Sequence, residues 1–229
     1  MLNETMIAKL FGMRLPLAIF VLSVLIFISV GSSVIYSTLV NNLVEDGNWL
    51  HIKTDVCELI FPRGWYMSRG SSGEENNTIY IINLFSEDFE TMMHLRFYSK
   101  EATRDFMKEN NLTDISAVPN FEVQLLYNWS LSYSENATLH FVEEKTELVY
   151  FIGNWSKERG YKAYYLLINI EKAYARNNVY YNTTGLFISM MIDQRLFEII
   201  LYGEGQSWEK NQDKFEIILN SMKIFKVSD

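Results

Sequence analysis

The 229 residues predict an α+β domain, an antiparallel sheet with helices packed on it, carried behind a single N-terminal transmembrane helix. Three observations point there. No residue from Leu15 to Val44 is charged. Beyond that stretch, apolar runs that are continuous or of period two outnumber helical ones and never settle into β–α–β alternation. The chain then closes on Phe215, Ile218, Leu219 and Met222, an apolar stripe at helical spacing.

The first element is the uncharged one. Leu15 to Val40 reads LPLAIFVLSVLIFISVGSSVIYSTLV, and its 26 positions make a helix roughly 39 Å long, enough to cross about 30 Å of hydrocarbon with some tilt. Helix is the required form because lipid offers no partner to an exposed backbone amide. Pro16 falls at the helix start, where a missing N–H costs little, and Ser23, Ser29, Ser32 and Ser33 can bond back to carbonyls one turn earlier. Lys9 and Arg14 precede the segment, whereas Glu45 and Asp46 follow it, which sets the N-terminus in the cytoplasm. The predicted organisation is a cytoplasmic segment 1–14, the span 15–40, a linker 41–48 and an extracytoplasmic domain 49–229. The rival is a cleaved signal peptide with Gly31, Ser32 and Ser33 near the cut, although such apolar regions usually run to about 7–15 residues.

Composition narrows the function. The chain has 20 basic and 28 acidic residues, net −8; residues 1–40 hold Glu4, Lys9 and Arg14, or +1, so the remainder carries −8 − 1 = −9. An acidic surface excludes a nucleic-acid partner, whose phosphates need clustered Lys and Arg. With one cysteine the chain forms no intrachain disulfide, and His51, His94 and His140 stand singly, without the spacing of a metal site. No cofactor motif is present, and 48% apolar with 15% aromatic residues implies a folded core.

An outward-facing domain gives meaning to N-x-S/T triplets as glycan acceptors. There are six, at Asn76, Asn111, Asn128, Asn136, Asn154 and Asn182. With 19 Asn and 30 Ser or Thr, chance alone gives roughly 2.5 such triplets in the whole chain, where Asn3 supplies a seventh. An Asn-rich sequence that forms the triplets by accident is the alternative.

Along the domain, Val56 to Phe61 reads as a strand, Pro62-Arg-Gly64 as a turn and Trp65 to Met67 as the next strand. Ser68 to Asn77, with Gly70 and Gly73, reads as a loop. Thr78 to Phe85 and Met92 to Ser99 follow as strands; in the second, His94, Arg96 and Tyr98 alternate with Met93, Leu95 and Phe97, predicting one wet face and one core face. Lys100 to Asn110 has helical composition. Four strand-like runs come next, Phe121 to Tyr127, Ala137 to Val142, Glu147 to Ile152 and Tyr161 to Ile170, then a hairpin of Leu186 to Ile192 and Leu196 to Tyr202 around Asp193-Gln-Arg195. The final helix has Ser207 as its predicted N-cap and Trp208 extending its stripe, and Lys223 to Val227 closes the chain as a strand.

Two of these segments carry a family resemblance. Glu58-Leu-Ile-Phe-Pro-Arg-Gly-Trp65, an apolar-x-Pro-x-Gly-Trp hairpin, resembles the first hairpin of PsbP-like and DcrB-like domains. Gly203 to Phe225, a strand end, a helix with F-x-x-I-L-x-S and a short strand, resembles the ending of the same families. The resemblance covers those two ends only. It implies an antiparallel sheet sandwiched by helices on a secreted or membrane-anchored protein, and no shared active site. Cys57 lies well past the apolar run, unlike the lipidated cysteine of lipoproteins.

The remaining candidates are weak in chemistry. Cys57, inside a strand pattern, reads as a buried inert thiol. Glu143, Glu144 and Glu147 read as a turn between strands, with divalent-cation binding as the alternative. Gly203-Glu-Gly205 reads as a strand-to-helix turn, lacking the lysine of a phosphate loop. Tyr161, Tyr164, Tyr165, Tyr174, Tyr180 and Tyr181 read as strand packing, or as a stacking surface for a partner or glycan. The expected role is non-catalytic binding or scaffolding in a cell envelope by a single-pass protein whose lipid contact is 15–40. The alternatives are an envelope hydrolase, marked by two carboxylates converging in an apolar cleft, and a small-ligand carrier, marked by an apolar cavity between sheet and helix.

Overall fold

The computed structural model describes residues 43–74, 77–149, 161–176 and 179–225. The chain divides into two compact units, Met1–Leu43 and Val44–Asp229, and only the second falls substantially within the described residues. The expected cytoplasmic segment and transmembrane helix, 1–14 and 15–40, lie outside them, as do Asn76 and Asn154. Among the described residues no helix is long and apolar enough to cross a membrane.

Two sheets organise the domain. The smaller has four strands in the order β1-β2-β3-β11, with β1 Leu43–Asp46, β2 Trp49–Lys53, β3 Cys57–Pro62 and β11 Lys223–Ile224. The larger has seven in the order β4-β5-β6-β10-β9-β8-β7: β4 Tyr66–Glu74, β5 Asn77–Phe85, β6 Thr91–Tyr98, β7 Thr138–Val149, β8 Tyr161–Arg176, β9 Val179–Ile192 and β10 Arg195–Glu204. Every residue pairing registered in the larger sheet is antiparallel. Among the described residues the fold is therefore α+β, with few helices: α1 Lys100–Glu109, α2 Val118–Tyr133 and α3 Gly205–Ser221. The expected linker 41–48 already holds a strand, β1, so ordered structure starts earlier than composition suggests.

The turns form where local chemistry demands them. Trp65 N–H donates to Pro62 C=O at 3.1 Å around Gly64 at φ 93°, a left-handed position that costs glycine no Cβ clash. Asp193 and Gln194, at φ 47° and 65°, make the two-residue turn joining β9 to β10, in the sense that suits the twist of a hairpin. Ser99 caps α1 by accepting from Ala102 N–H at 3.1 Å, and Thr103 Oγ1 accepts from Leu196 N–H at 2.8 Å, tying that helix to β10.

The helices lie on opposite faces of the larger sheet. One face packs α2 through Val123 against Leu166, Ile168, Ile170, Phe187 and Ile200. At its other end α1 and Val118 close over Tyr98 and Leu196. Alternate residues of the same strands, Ile188, Met190, Ile199 and Leu201, point the other way, toward α3. There α3 packs against β3 of the smaller sheet, Trp65 meets Phe215 edge-on at 5.8 Å, and Ile60 N–H donates to Ser221 Oγ at 3.0 Å.

Several expected elements differ. Phe121 to Tyr127 is the middle of α2, not a strand. Ser68 to Glu74 continues β4, not a loop, as an edge strand on which Gly and Ser are tolerated. The runs at 137 and 147 are one strand, β7, with a bulge between Phe141 and Glu143; Glu143, Glu144 and Glu147 therefore lie within a strand and not in a turn. The expected positions 150–152 lie outside the described residues. Strand β9 begins at Val179, well before Leu186, and β8 continues to Arg176.

Candidate functional site

Between α3 and its face of the sheet lies a groove of about 630 Å³. Strand register builds the floor: Lys145, Tyr165, Ile188 and Ile199 stand in one row, and Glu143, Leu167, Leu186 and Leu201 in the next. Trp208, Phe215 and Leu219 of α3 form the wall, and Glu143, Lys145 and Glu216 add charge at the lining. Lys145 Nζ sits 5.1 Å from the centre of the Tyr165 ring. The lining is thus mixed, with an aliphatic and aromatic floor and wall and polar atoms from Glu143, Lys145, Gln212, Glu216 and Asn220.

The wall is fixed at its base by a polar clamp. Ser207, expected to cap the helix, is instead its third residue and is buried; Glu204 holds the capping position. Ser207 Oγ lies 2.6 Å from Thr91 Oγ1 and donates to Asp88 at 3.1 Å, while Asn211 Nδ2 donates to Ser207 C=O at 2.9 Å. Burial works against ionising Asp88, but hydrogen bonds from Ser86, the Glu90 amide and Ser207 hold its carboxyl below the ordinary value. This clamp joins the start of α3 to the β5–β6 turn and sets where the adjacent Trp208 stands; that ring lies 5.2 Å from Phe215.

The other face of the sheet holds a buried charged cluster. Arg96 Nη1 donates to Glu122 Oε1 of α2 at 2.8 Å and lies 3.6 Å from Glu198 Oε2, to which Tyr98 OH donates at 2.6 Å. Glu198 is 1% exposed. Burial first, and Glu122 second, hold its carboxyl above the usual range, and burial likewise raises the Tyr98 phenol. Next along β6, His94 Nδ1 bonds Asn83 Oδ1; burial and then Arg96 push its imidazole down to about 4. The face expected to be wet is therefore covered by α1 and α2. Two carboxylates do converge here, but they are engaged by Arg96 and Tyr98, and neither lines the groove.

The other sequence candidates scatter. Cys57 is fully buried, and burial pushes its thiol up to about 12, the inert state expected of it. His51 pairs with Glu58 at 2.9 Å and His140 with Glu171 at 3.5 Å, far apart in the two sheets. Gly203-Glu-Gly205 joins β10 to α3 as the expected turn. Of the tyrosines, Tyr165 lines the groove, Tyr174 and Tyr181 stack at 5.1 Å, and Tyr180 stays exposed beneath Lys172. Among the acceptors, Asn111, Asn128, Asn136 and Asn182 are all exposed; Asn182 Oδ1 accepts from Lys172 N–H at 3.0 Å. Ser130, the hydroxyl partner of Asn128, is buried and donates to Leu126 C=O at 3.1 Å.

No protein-family model matches this chain, and no curated protein matches it. Among solved structures it is similar to the solution structure of cyanobacterial PsbP (CyanoP) from Synechocystis sp. PCC 6803, at 12% identity and a TM-score of 0.49, over 80% of this chain and 95% of that one. The likeness is one of fold alone, a PsbP-like α+β arrangement of antiparallel sheets with few helices.

Proposed function

We propose that the protein is a single-pass, membrane-anchored domain, held outside the cytoplasmic membrane by residues 15–40, that binds a small apolar ligand in the groove between α3 and the seven-stranded sheet without transforming it. The groove carries this reading. Its volume of about 630 Å³ lies within the usual range for ligand sites and holds on the order of 20 non-hydrogen atoms at about 30 Å³ each. Leu167, Leu186 and Leu201 on the floor and Trp208 and Phe215 on the wall offer a ligand apolar burial, with the charged Glu143 and Lys145 at the β7 side of the floor. The two carboxylates that converge, Glu122 and Glu198, lie on the opposite face of the sheet in the Arg96 cluster, so the groove supports binding better than proton transfer. Glycans at Asn111, Asn136 and Asn182, exposed on the domain, fit the same outward placement, and an envelope protein or glycan is the kind of partner such a domain meets.

The test uses the full chain in lipid nanodiscs, extracted with organic solvent and compared by mass spectrometry with empty nanodiscs. An apolar molecule should accompany the protein near one to one and fall at least tenfold in Leu186→Trp, which fills the floor. Equal recovery from both proteins would dismiss the groove as a binding site.

A further inference from the structure

We infer that the outer edge of β7 accepts an added strand, an extended basic segment of another protein. Strand β7 ends the seven-stranded order, and among the described residues no strand pairs with its outer side. Every residue from His140 to Thr146 is exposed, Phe141 at 56% and Val142 at 60%. Past the bulge between Phe141 and Glu143, β7 pairs with β8 residue for residue as far as Val149, so this stretch presents a regular edge. The outward amides and carbonyls of such an edge match the backbone of a further strand, which selects an extended peptide over a helix or a loop.

A cavity adjoins this edge on each face of the sheet. Glu144 and Thr146, opposite Leu166 and Tyr164, lie on the α2 side, whereas Glu143 and Lys145, opposite Leu167 and Tyr165, lie on the α3 side. On the α2 side Phe141, Glu144 and Tyr164 line a hollow of about 390 Å³ together with Pro119 and Asn120. On the α3 side Glu143 and Lys145 belong to the lining of the groove, as does Glu216. A strand laid along β7 therefore turns its successive side chains toward two different cavities, which is how strand addition gains specificity. Charge sets what those side chains are. Glu143, Glu144 and Glu216 outnumber Lys145 along these walls, in a chain that carries a net −9 beyond residue 40. A second copy brings the same acidic surplus to the contact, and like charges set across a strand pair are unfavourable. Lys or Arg on the incoming strand reverses that sign, and the acidic field steers a basic segment toward the edge. The pairing uses the edge of the sheet and not the apolar floor, so it holds whether or not the groove is filled.

The probe is a short, end-capped, fluorescent peptide that alternates Lys with Thr. It is titrated by anisotropy into the full chain in neutral detergent, and amide hydrogen exchange is read by mass spectrometry at saturation. The expected result is saturable binding that slows exchange over Glu143–Val149. Affinity should fall at least tenfold for the same peptide with Glu in place of Lys, and equally for the chain carrying Glu143→Lys with Glu144→Lys. It should be nearly unchanged by Glu101→Lys with Glu209→Lys, which alters the net charge by the same amount away from the edge. All four glutamates are exposed, so both variants should fold. Three outcomes would overturn the inference: no binding at about 1 mM peptide; binding that leaves exchange in β7 unchanged, which would mark a general attraction to an acidic domain; or slowing that develops in the chain alone as its concentration rises, which would make a second copy the occupant.

Discussion

His94 and Glu198 sit in one buried cluster and respond to acid in opposite senses. Glu198 has its acidity weakened by folding, so between its unfolded value and its raised folded value the native state holds the extra proton. Stability from that group is present at low pH and lost as pH rises through the window. His94 is pushed down to about 4 from 6.5, so between those values the unfolded chain holds the extra proton, and stability is lost as pH falls. From about pH 5 to 6.5 the two slopes oppose each other, each limited to about 1.4 kcal/mol per pH unit. Urea unfolding at pH 5, 5.75 and 6.5 should therefore give a nearly flat profile for the natural chain. His94→Asn should leave a protein that weakens as pH rises, and Glu198→Gln one that strengthens. Arg96 acts on both groups, whereas Glu122 and Tyr98 act on Glu198, and all three remain in either variant. Parallel profiles for the two variants would show that the cluster does not titrate in this way.

At the scale of elements, what could be read ahead was whatever has a single period. Strand β6, the β9–β10 hairpin and the stripe Phe215, Ile218, Leu219 and Met222 form where expected, although the second face of β6 is covered and not wet; the hairpin and the stripe, with Trp208, supply much of the groove's floor and wall. The groove itself was not legible, because it depends on where α3 crosses the sheet. Helix α2 misled for a different reason: Phe121, Val123, Leu125 and Tyr127 alternate like a strand, while Val118, Glu122, Val123 and Ser130 define the buried side at helical spacing. Pro119, in the first turn, was the local sign of a helix start. Reading α2 as a strand also hid the cover over His94, Arg96 and Tyr98. The wall makes a direct claim on stability. Phe215 is 4% exposed and touches both Trp65 and Trp208, so Phe215→Ala should cost about 3–5 kcal/mol in urea unfolding and loosen the groove with it. Helix formation also sorts the acceptors. Asn128 depends on Ser130, whose hydroxyl is buried and bonded within α2, whereas Asn136 depends on Thr138, which is exposed. A glycosyltransferase acting on the folded domain should modify Asn136 and spare Asn128; equal occupancy, read by glycopeptide mass spectrometry, would require attachment before folding.

The whole molecule is a contest between one apolar stretch and an acidic domain, and its outcome can be put in numbers. Residues 15–40 contain 16 Leu, Ile, Phe and Val, each favouring the bilayer by about 0.3–0.6 kcal/mol at the helix centre, or roughly 5–10 kcal/mol in all. Gly31 and the intervening Ser and Thr residues reduce that sum without adding charge. One arginine at the centre costs about 2.5–3.5 kcal/mol and also removes an apolar residue. Leu25→Arg alone should therefore leave the chain in the membrane. Leu22→Arg, Leu25→Arg and Ile28→Arg together cost on the order of 10 kcal/mol, which cancels the whole driving force. The measurement is partition of full-length chain between alkaline-washed membranes and the aqueous fraction. Natural chain and single variant should stay with the membrane until detergent is added, and the triple variant should leave it. In the retained forms, a tag placed after Asp229 should be cut by protease added outside intact cells if the proposed orientation holds, with Lys9 and Arg14 on the inner side. Natural full-length chain in the aqueous fraction, or a protected tag, would contradict the anchor or its orientation respectively.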